Sequence, residues 1–240
     1  MIYLNFFSAN FNLSFGQTFE QNITSNNLTY QQAFPKEYEE ALNFIKNNKK
    51  IIDNELSNVP KTLLLSIIFP ELTRYNIIKD FGEATTLKIL YVSFGEKYAN
   101  FSIGNCQMKP TFAEYLEKYQ QKYALKNLLK NPLKYEEINN QTYEKIDEKT
   151  IRELRVGRLQ DFAWQLKYLK VFYFMMEEKF SQKKWKNDTE KCVFYASAYN
   201  LGIYEEQKIN NWATIKAFPN GKNKALAYTY ASVAREYFLR

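Results

Sequence analysis

Pro60-Lys-Thr-Leu-Leu-Leu-Ser-Ile-Ile-Phe-Pro-Glu71 is the stretch on which the fold turns. Leu63, Leu64, Leu65, Ile67 and Ile68 leave it almost no polar face, so a helix built from it has to be covered on every side. Ser57 or Asn58 can cap that helix. Pro60 suits its first turn, where the backbone N–H groups have no carbonyl to reach. The pattern predicts a central, buried helix ending at a carboxylate, Glu71. A carboxyl set beside Ile67, Ile68 and Pro70 loses hydration, which favours its neutral form and moves its pKa towards the range useful to a general acid. The competing reading is a solvated glutamate at a helix end.

Outward from this centre the chain reads as more helix. Residues 1–17 are aromatic and apolar but carry Asn5, Asn10 and Asn12 and no early Lys or Arg, so they make a poor, degenerate secretory signal. Residues 18–34 are rich in Asn, Gln and Thr, show no period, and read as an extended arm. Lys36 to Leu56 reads as one charged outer helix, with Tyr38, Leu42 and Ile45 spaced by four and three. Amphipathic helices are expected over Thr85–Tyr98 and Thr111–Leu129, around a short irregular segment from Asn100 to Pro110. After a polar connector at 131–150, Leu159, Phe162, Leu166, Leu169, Tyr173 and Met176 read as one long core helix. Asn187 or Asp188 caps the next, which ends at Gly202, and Asn223 caps a last helix carrying Leu226, Tyr230, Val233 and Tyr237. There is no internal repeat.

Composition narrows the chemistry. With 240 residues, 45% hydrophobic and 17% aromatic, the chain can bury a sizeable core, and only 7 Gly and 6 Pro argue against turn-dense β architecture. It contains no His, which removes histidine-based triads and most zinc sites, since two cysteines cannot complete a tetrahedron; no metal or cofactor is expected. Carboxylates are left as acid–base groups. A net charge of +7 favours an anionic partner. Nucleic acid is discounted, since neither a helix-turn-helix pattern nor a basic block is present. No run approaches the length of a membrane span.

Three segments, taken in order, resemble the lysozyme-like transglycosylase family, that of soluble lytic transglycosylases and goose-type lysozyme relatives. Pro60 to Glu71 looks like the family's apolar helix ending in its catalytic Glu-Ser. Ser102-Ile-Gly104-Asn-Cys-Gln107-Met108-Lys-Pro110 is similar to its Gly-Leu-Met-Gln-Ile-x-Pro segment, matching at Gly104, Gln107 and Pro110, with Met108 for Ile. Tyr195-Ala-Ser-Ala198-Tyr199-Asn200-Leu-Gly202 looks like its Ala-Tyr-Asn-x-Gly motif, and residues 228–237 resemble its closing helix. The resemblance covers residues 57–240, leaving 1–56 as an N-terminal polar arm and outer helix. It departs from the family at Leu72, which replaces the Ser after the Glu, and at Asn105 and Cys106, which replace apolar residues. Gln107 follows Glu71 by 36 residues and Asn200 follows Gln107 by 93, intervals that insertions near 76–100 and 131–150 would explain.

The resemblance implies a mainly α, α+β lysozyme-like fold with at most a short β element near 98–107. It implies a peptidoglycan lytic transglycosylase of the periplasm or cell envelope. Glu71 would be the single catalytic acid, cleaving the β-1,4 bond between N-acetylmuramic acid and N-acetylglucosamine and leaving 1,6-anhydro ends. Gln107, Tyr199, Asn200 and Met108 would bind the glycan strand, the partner expected. Apart from the family, Gln107 is a turn amide, Asn200 a helix-end amide and Tyr199 a core tyrosine. The alternative function is a non-catalytic lysozyme-like protein that binds cell-wall glycan or a protein partner. Asp80, Glu83, Glu96, Glu205 and Glu206 could supply a second acid but read as solvated carboxylates. Cys106 and Cys192 read as two separate buried thiols rather than a disulfide. Lys183, Lys184 and Lys186 around Trp185 read as a solvated helix end rather than a polyanion grip.

Overall fold

The computed structural model describes residues 28–75, 81–99, 101–122, 147–202, 204–220 and 226–240. Within them it is mainly helical, with eleven helices and one short two-stranded sheet. The chain order is α1 (Tyr30–Ala33), α2 (Pro35–Asn47), α3 (Lys49–Glu55), α4 (Lys61–Tyr75), α5 (Phe81–Phe94), α6 (Pro110–Lys122), α7 (Glu148–Gln160), α8 (Phe162–Lys179), α9 (Asp188–Leu201), α10 (Glu206–Ala213), β1 (Lys216–Phe218), β2 (Tyr228–Thr229) and α11 (Tyr230–Phe238).

Helix α4 is the buried centre. Leu64, Ile67, Ile68 and Phe69 are fully enclosed, and α11, α9 and α2 pack around it. It does not end at Glu71 but runs one further turn to Tyr75, with Pro70 inside it. A proline there cannot donate to the Ser66 carbonyl. Hydroxyls gather round the same turn: Ser66 Oγ donates to the Thr62 carbonyl at 2.6 Å, Thr73 Oγ1 to the Pro70 carbonyl at 2.7 Å, and the Tyr230 hydroxyl to the Ile67 carbonyl at 2.9 Å. The Ile67 carbonyl, three residues before the proline, is taken by Tyr230, so part of the ladder that the ring disturbs is satisfied again by a neighbouring helix.

Two expected helices are each two. The outer helix breaks at Asn48, whose side-chain amide donates to the Phe44 carbonyl at 2.9 Å and so competes with the helical ladder. The long core helix breaks at Asp161, extended in backbone, whose carboxylate accepts the Trp164 N–H at 3.0 Å and starts α8 afresh. The last helix starts at Tyr230, capped by Thr229 through the Ser232 N–H; Asn223 lies outside the described residues and Leu226 outside the helix. At α9 the expected bounds coincide with those observed: the Asn187 side chain accepts the Glu190 N–H, and Gly202 closes the helix in the left-handed region at φ 68°.

The sheet lies elsewhere than expected. It pairs β1 with β2 antiparallel, Lys216 opposite Thr229 and Phe218 opposite Tyr228, whereas the 98–107 region contributes a single bridge between Ile103 and Met108. Residues 28–34, the part of the expected arm that is described, are more tightly held than their composition suggested; 18–27 lie outside the described residues. Thr29 and Gln32 form a reciprocal capping box, and Tyr30 is fully buried with its hydroxyl against Thr73 of α4. Tyr38, Ala41, Ile52 and Leu56 join the same hydrophobic core as residues 57–240. The signal-like stretch 1–17 and most of the 131–150 connector lie outside the described residues.

Candidate active site

Glu71 faces the junction of α4, α9, α11 and the turn before α6. It is 5% exposed, and one carboxyl oxygen, Oε2, has no hydrogen-bond partner among the described residues. Burial pushes the carboxyl up from 4.5 to about 7, against the lowering effect of the Arg74 guanidinium and of a hydrogen bond with the Asn200 side chain. Desolvation wins because ionising a carboxyl away from water costs more than one partly exposed cation returns. At neutral pH the group is therefore poised between acid and base.

Asn200 is oriented from behind. Its Oδ1 accepts the indole N–H of Trp212, from α10, at 2.8 Å, which turns its amide nitrogen towards Glu71. Tyr199 is buried, and its hydroxyl donates to the Cys106 carbonyl at 2.7 Å, joining the end of α9 to the 103–108 turn. Tyr230 completes the enclosure. Burial first, and then the nearby Glu71 carboxylate, raise the hydroxyl pKa of Tyr230 well above the ordinary value, so this phenol remains a donor at neutral pH.

The turn is held by Gln165, a fully buried side chain of α8. Its Oε1 accepts the Cys106 N–H at 3.0 Å, and its Nε2 donates to the carbonyls of Ile103, at 3.2 Å, and of Leu159. Gly104, at φ 71°, leaves room for that amide. A β-carbon there would overlap Gln165 Nε2 and the Leu159 carbonyl and stand 2.7 Å from Gln165 Cδ. Gln107 also adopts a positive φ, 48°, and both its backbone N–H and its side-chain amide donate to the Gly104 carbonyl.

The structure thus brings Glu71, Tyr199, Asn200 and the backbone of the turn together. It does not bring all the expected binding groups to a ligand. The Gln107 amide nitrogen is spent on its own turn, and Met108, 1% exposed, is a core side chain bridged through its backbone to Ile103. Arg74, Trp212, Gln165 and Tyr230 join the site without belonging to any of the three motifs. Arg74 was legible as a cation one turn past Glu71; the other three lie too far along the chain for spacing to connect them.

The remaining candidates sort simply. Glu205 pairs with Lys208, Glu206 with Lys183, and Glu96 is exposed; Asp80 and the Glu83 side chain lie outside the described residues. Cys106 and Cys192 are both buried and unbridged, and burial raises both thiols, that of Cys192 to about 12. Lys183 sits over the rings of Trp185 and Phe194 at 5.1 and 5.3 Å. Among the described residues no group of three acidic or sulfur ligands could hold a metal, and no helix is long and apolar enough to cross a membrane. Compared with family models, with curated proteins and with solved structures, the chain matches none.

Proposed function

We propose that the chain is a peptidoglycan lytic transglycosylase of the periplasm or cell envelope, with a lysozyme-like fold and Glu71 as its only catalytic acid. The observation that carries the reading is the state of Glu71: enclosed, poised near pH 7, held by Asn200, and left with one oxygen unpartnered among the described residues.

In the proposed reaction the protonated Glu71 donates to the glycosidic oxygen linking N-acetylmuramic acid to N-acetylglucosamine, and the bond from that oxygen to C1 breaks through an oxocarbenium-like state. The resulting carboxylate takes the proton of the sugar's own C6 hydroxyl, whose oxygen bonds to C1 and closes a 1,6-anhydro ring. The proton returns to Glu71 and no water is consumed. A second carboxylate is needed to activate water in an inverting hydrolase. Here the C6 hydroxyl is tethered to the reacting centre and has the advantage of high effective molarity. Asn200, braced by Trp212, would steady the carboxyl through both proton transfers, and the Tyr199 hydroxyl holds the facing turn in place.

A second reading, glycan binding without turnover, draws on Leu72, a buried apolar residue where the resembling family has a hydroxyl. Digestion of purified peptidoglycan separates the two. The proposal expects products one water lighter than reducing ends, and a loss of about 10² to 10⁴ in rate for Glu71→Gln. Only reducing ends, undiminished turnover in Glu71→Gln, or no turnover by the wild type would each overturn it.

A further inference from the structure

Asn200 meets Glu71 with an amide, a group that both donates and accepts and that reverses its role by half a turn about its last bond. Either sense fits a carboxyl. The nitrogen donates to a carboxylate, whereas the oxygen accepts the O–H of a protonated acid. Trp212 decides between them. An indole N–H donates and never accepts, so the amide oxygen that it meets at 2.8 Å is committed to it and the nitrogen is left for Glu71.

Trp212 is itself held by an element that none of the three motifs contains. It is the penultimate residue of α10, a helix of eight residues that packs on α9, buries Ile209 and Ala213, and is tied at its first turn to Lys183 through the Glu206 carboxylate. The ionisable groups that feel Glu71 are Arg74 on α4, Tyr199 of α9, Cys106 of the 103–108 turn and Tyr230 of α11. The guanidinium stays charged, and burial keeps the two hydroxyls and the thiol protonated at neutral pH, so none of them titrates alongside the acid. The sense of the amide is thus set by a hydrogen bond between two neutral groups, which pH does not touch.

We propose that Trp212 is a positioning residue for the reaction of Glu71: its indole N–H locks the Asn200 amide in the sense that donates to the carboxylate, so that the docking of α10 on α9 strengthens the acid. The inference rests on the glycan reading, in which Glu71 has to release its proton before it takes one back, and the lock favours the form that has released it. Without the indole N–H the amide is free to turn over, its oxygen accepts the protonated carboxyl, and the acid holds its proton more tightly. Loss of packing alone acts the other way, because water admitted beside Glu71 restores an ordinary carboxyl. The two ways in which a change at Trp212 could act therefore differ in sign.

The test follows the Glu71 side-chain carboxyl by carbon NMR through a pH titration of the full chain, with no substrate present. Trp212→Phe keeps a ring and removes the N–H, and it should raise the Glu71 midpoint by about half to one pH unit. A midpoint unchanged or lowered overturns the lock. Added to Asn200→Ala, the same substitution should move the midpoint no further; a full second shift would show that Trp212 acts by another route and overturns the lock equally. In the unmutated chain the Trp212 indole proton should shift with the Glu71 midpoint and lose that shift in Glu71→Gln, a check that stands even if Trp212→Phe does not fold. An indole signal indifferent to that midpoint counts against the lock. On peptidoglycan, the alkaline limb of the kcat/KM profile in Trp212→Phe should move up with the midpoint. A raised midpoint in a protein without peptidoglycan turnover would keep the lock and sink the enzyme reading, and turnover with an unmoved midpoint would do the reverse.

Discussion

At Glu71 a charge-bearing group has been placed where water does not reach, and the side chain answers by keeping its proton. That has a thermodynamic signature separate from any activity. The folded chain holds this proton up to about pH 7 and the unfolded chain only to about 4.5, so the protonated carboxyl contributes its full stability below about pH 4.5. The contribution is lost as pH rises towards 7 and levels off above it, a change of roughly 3 kcal/mol. Glu71→Gln cannot titrate. Its unfolding free energy in urea, relative to wild type, should therefore climb by roughly 3 kcal/mol between about pH 4 and about pH 8. A difference independent of pH would show that the carboxyl titrates like a solvated one. The desolvation was legible in the sequence, because Ile67, Ile68 and Pro70 flank the acid. The opposing influences were not: Asn200 and its Trp212 brace approach only once α9 and α10 are in place.

Among the elements, the 103–108 turn depends most on a single missing atom group. Gly104 and Gly202 both have positive φ, but a β-carbon at Gly202 meets nothing within 4 Å, while one at Gly104 collides with the Gln165 amide that pins the turn to α8. Gly202→Ala should cost about 1 kcal/mol, the backbone penalty alone. Gly104→Ala should cost roughly 3 kcal/mol, because strain and overpacking add to that penalty. Equal losses in thermal or urea unfolding would contradict the docking of Gln165 described above. Elements defined by local chemistry were readable in advance: α9, with Asn187 before it and Gly202 after it, is the best case. Elements interrupted without a change of periodicity were not. Asn48 and Asp161 each end one helix and open another while the apolar spacing runs on through the break, so hydrophobic pattern alone joins what side-chain capping separates. The β1–β2 pair is too short, at three and two residues, to leave an alternating signature.

Over the whole molecule, one buried cation ties four helices together. Arg155 of α7 donates to the Glu117 carboxylate of α6 at 2.7 and 3.0 Å and to the Tyr91 hydroxyl of α5 at 2.7 Å, while the Tyr168 hydroxyl of α8 donates to the other Glu117 oxygen at 2.6 Å. Arg155→Met would leave Glu117 enclosed without its cation and should cost about 3 to 5 kcal/mol, most of it recovered in Arg155→Met with Glu117→Leu. If the double variant is no more stable than the single one, the ion pair is not where the loss arises. Helix α4 draws its cover from distant sequence, above all from Tyr230, whose hydroxyl reaches a carbonyl 163 residues earlier in the chain. On a ribosome adding about 5 to 20 residues per second, that separation corresponds to roughly 10 to 30 s. Until that cover arrives, the Glu71 carboxyl lacks part of the enclosure that keeps its proton on. Its full strength waits for α9, the 103–108 turn and α11 alike, which makes it a property acquired late in the chain's synthesis.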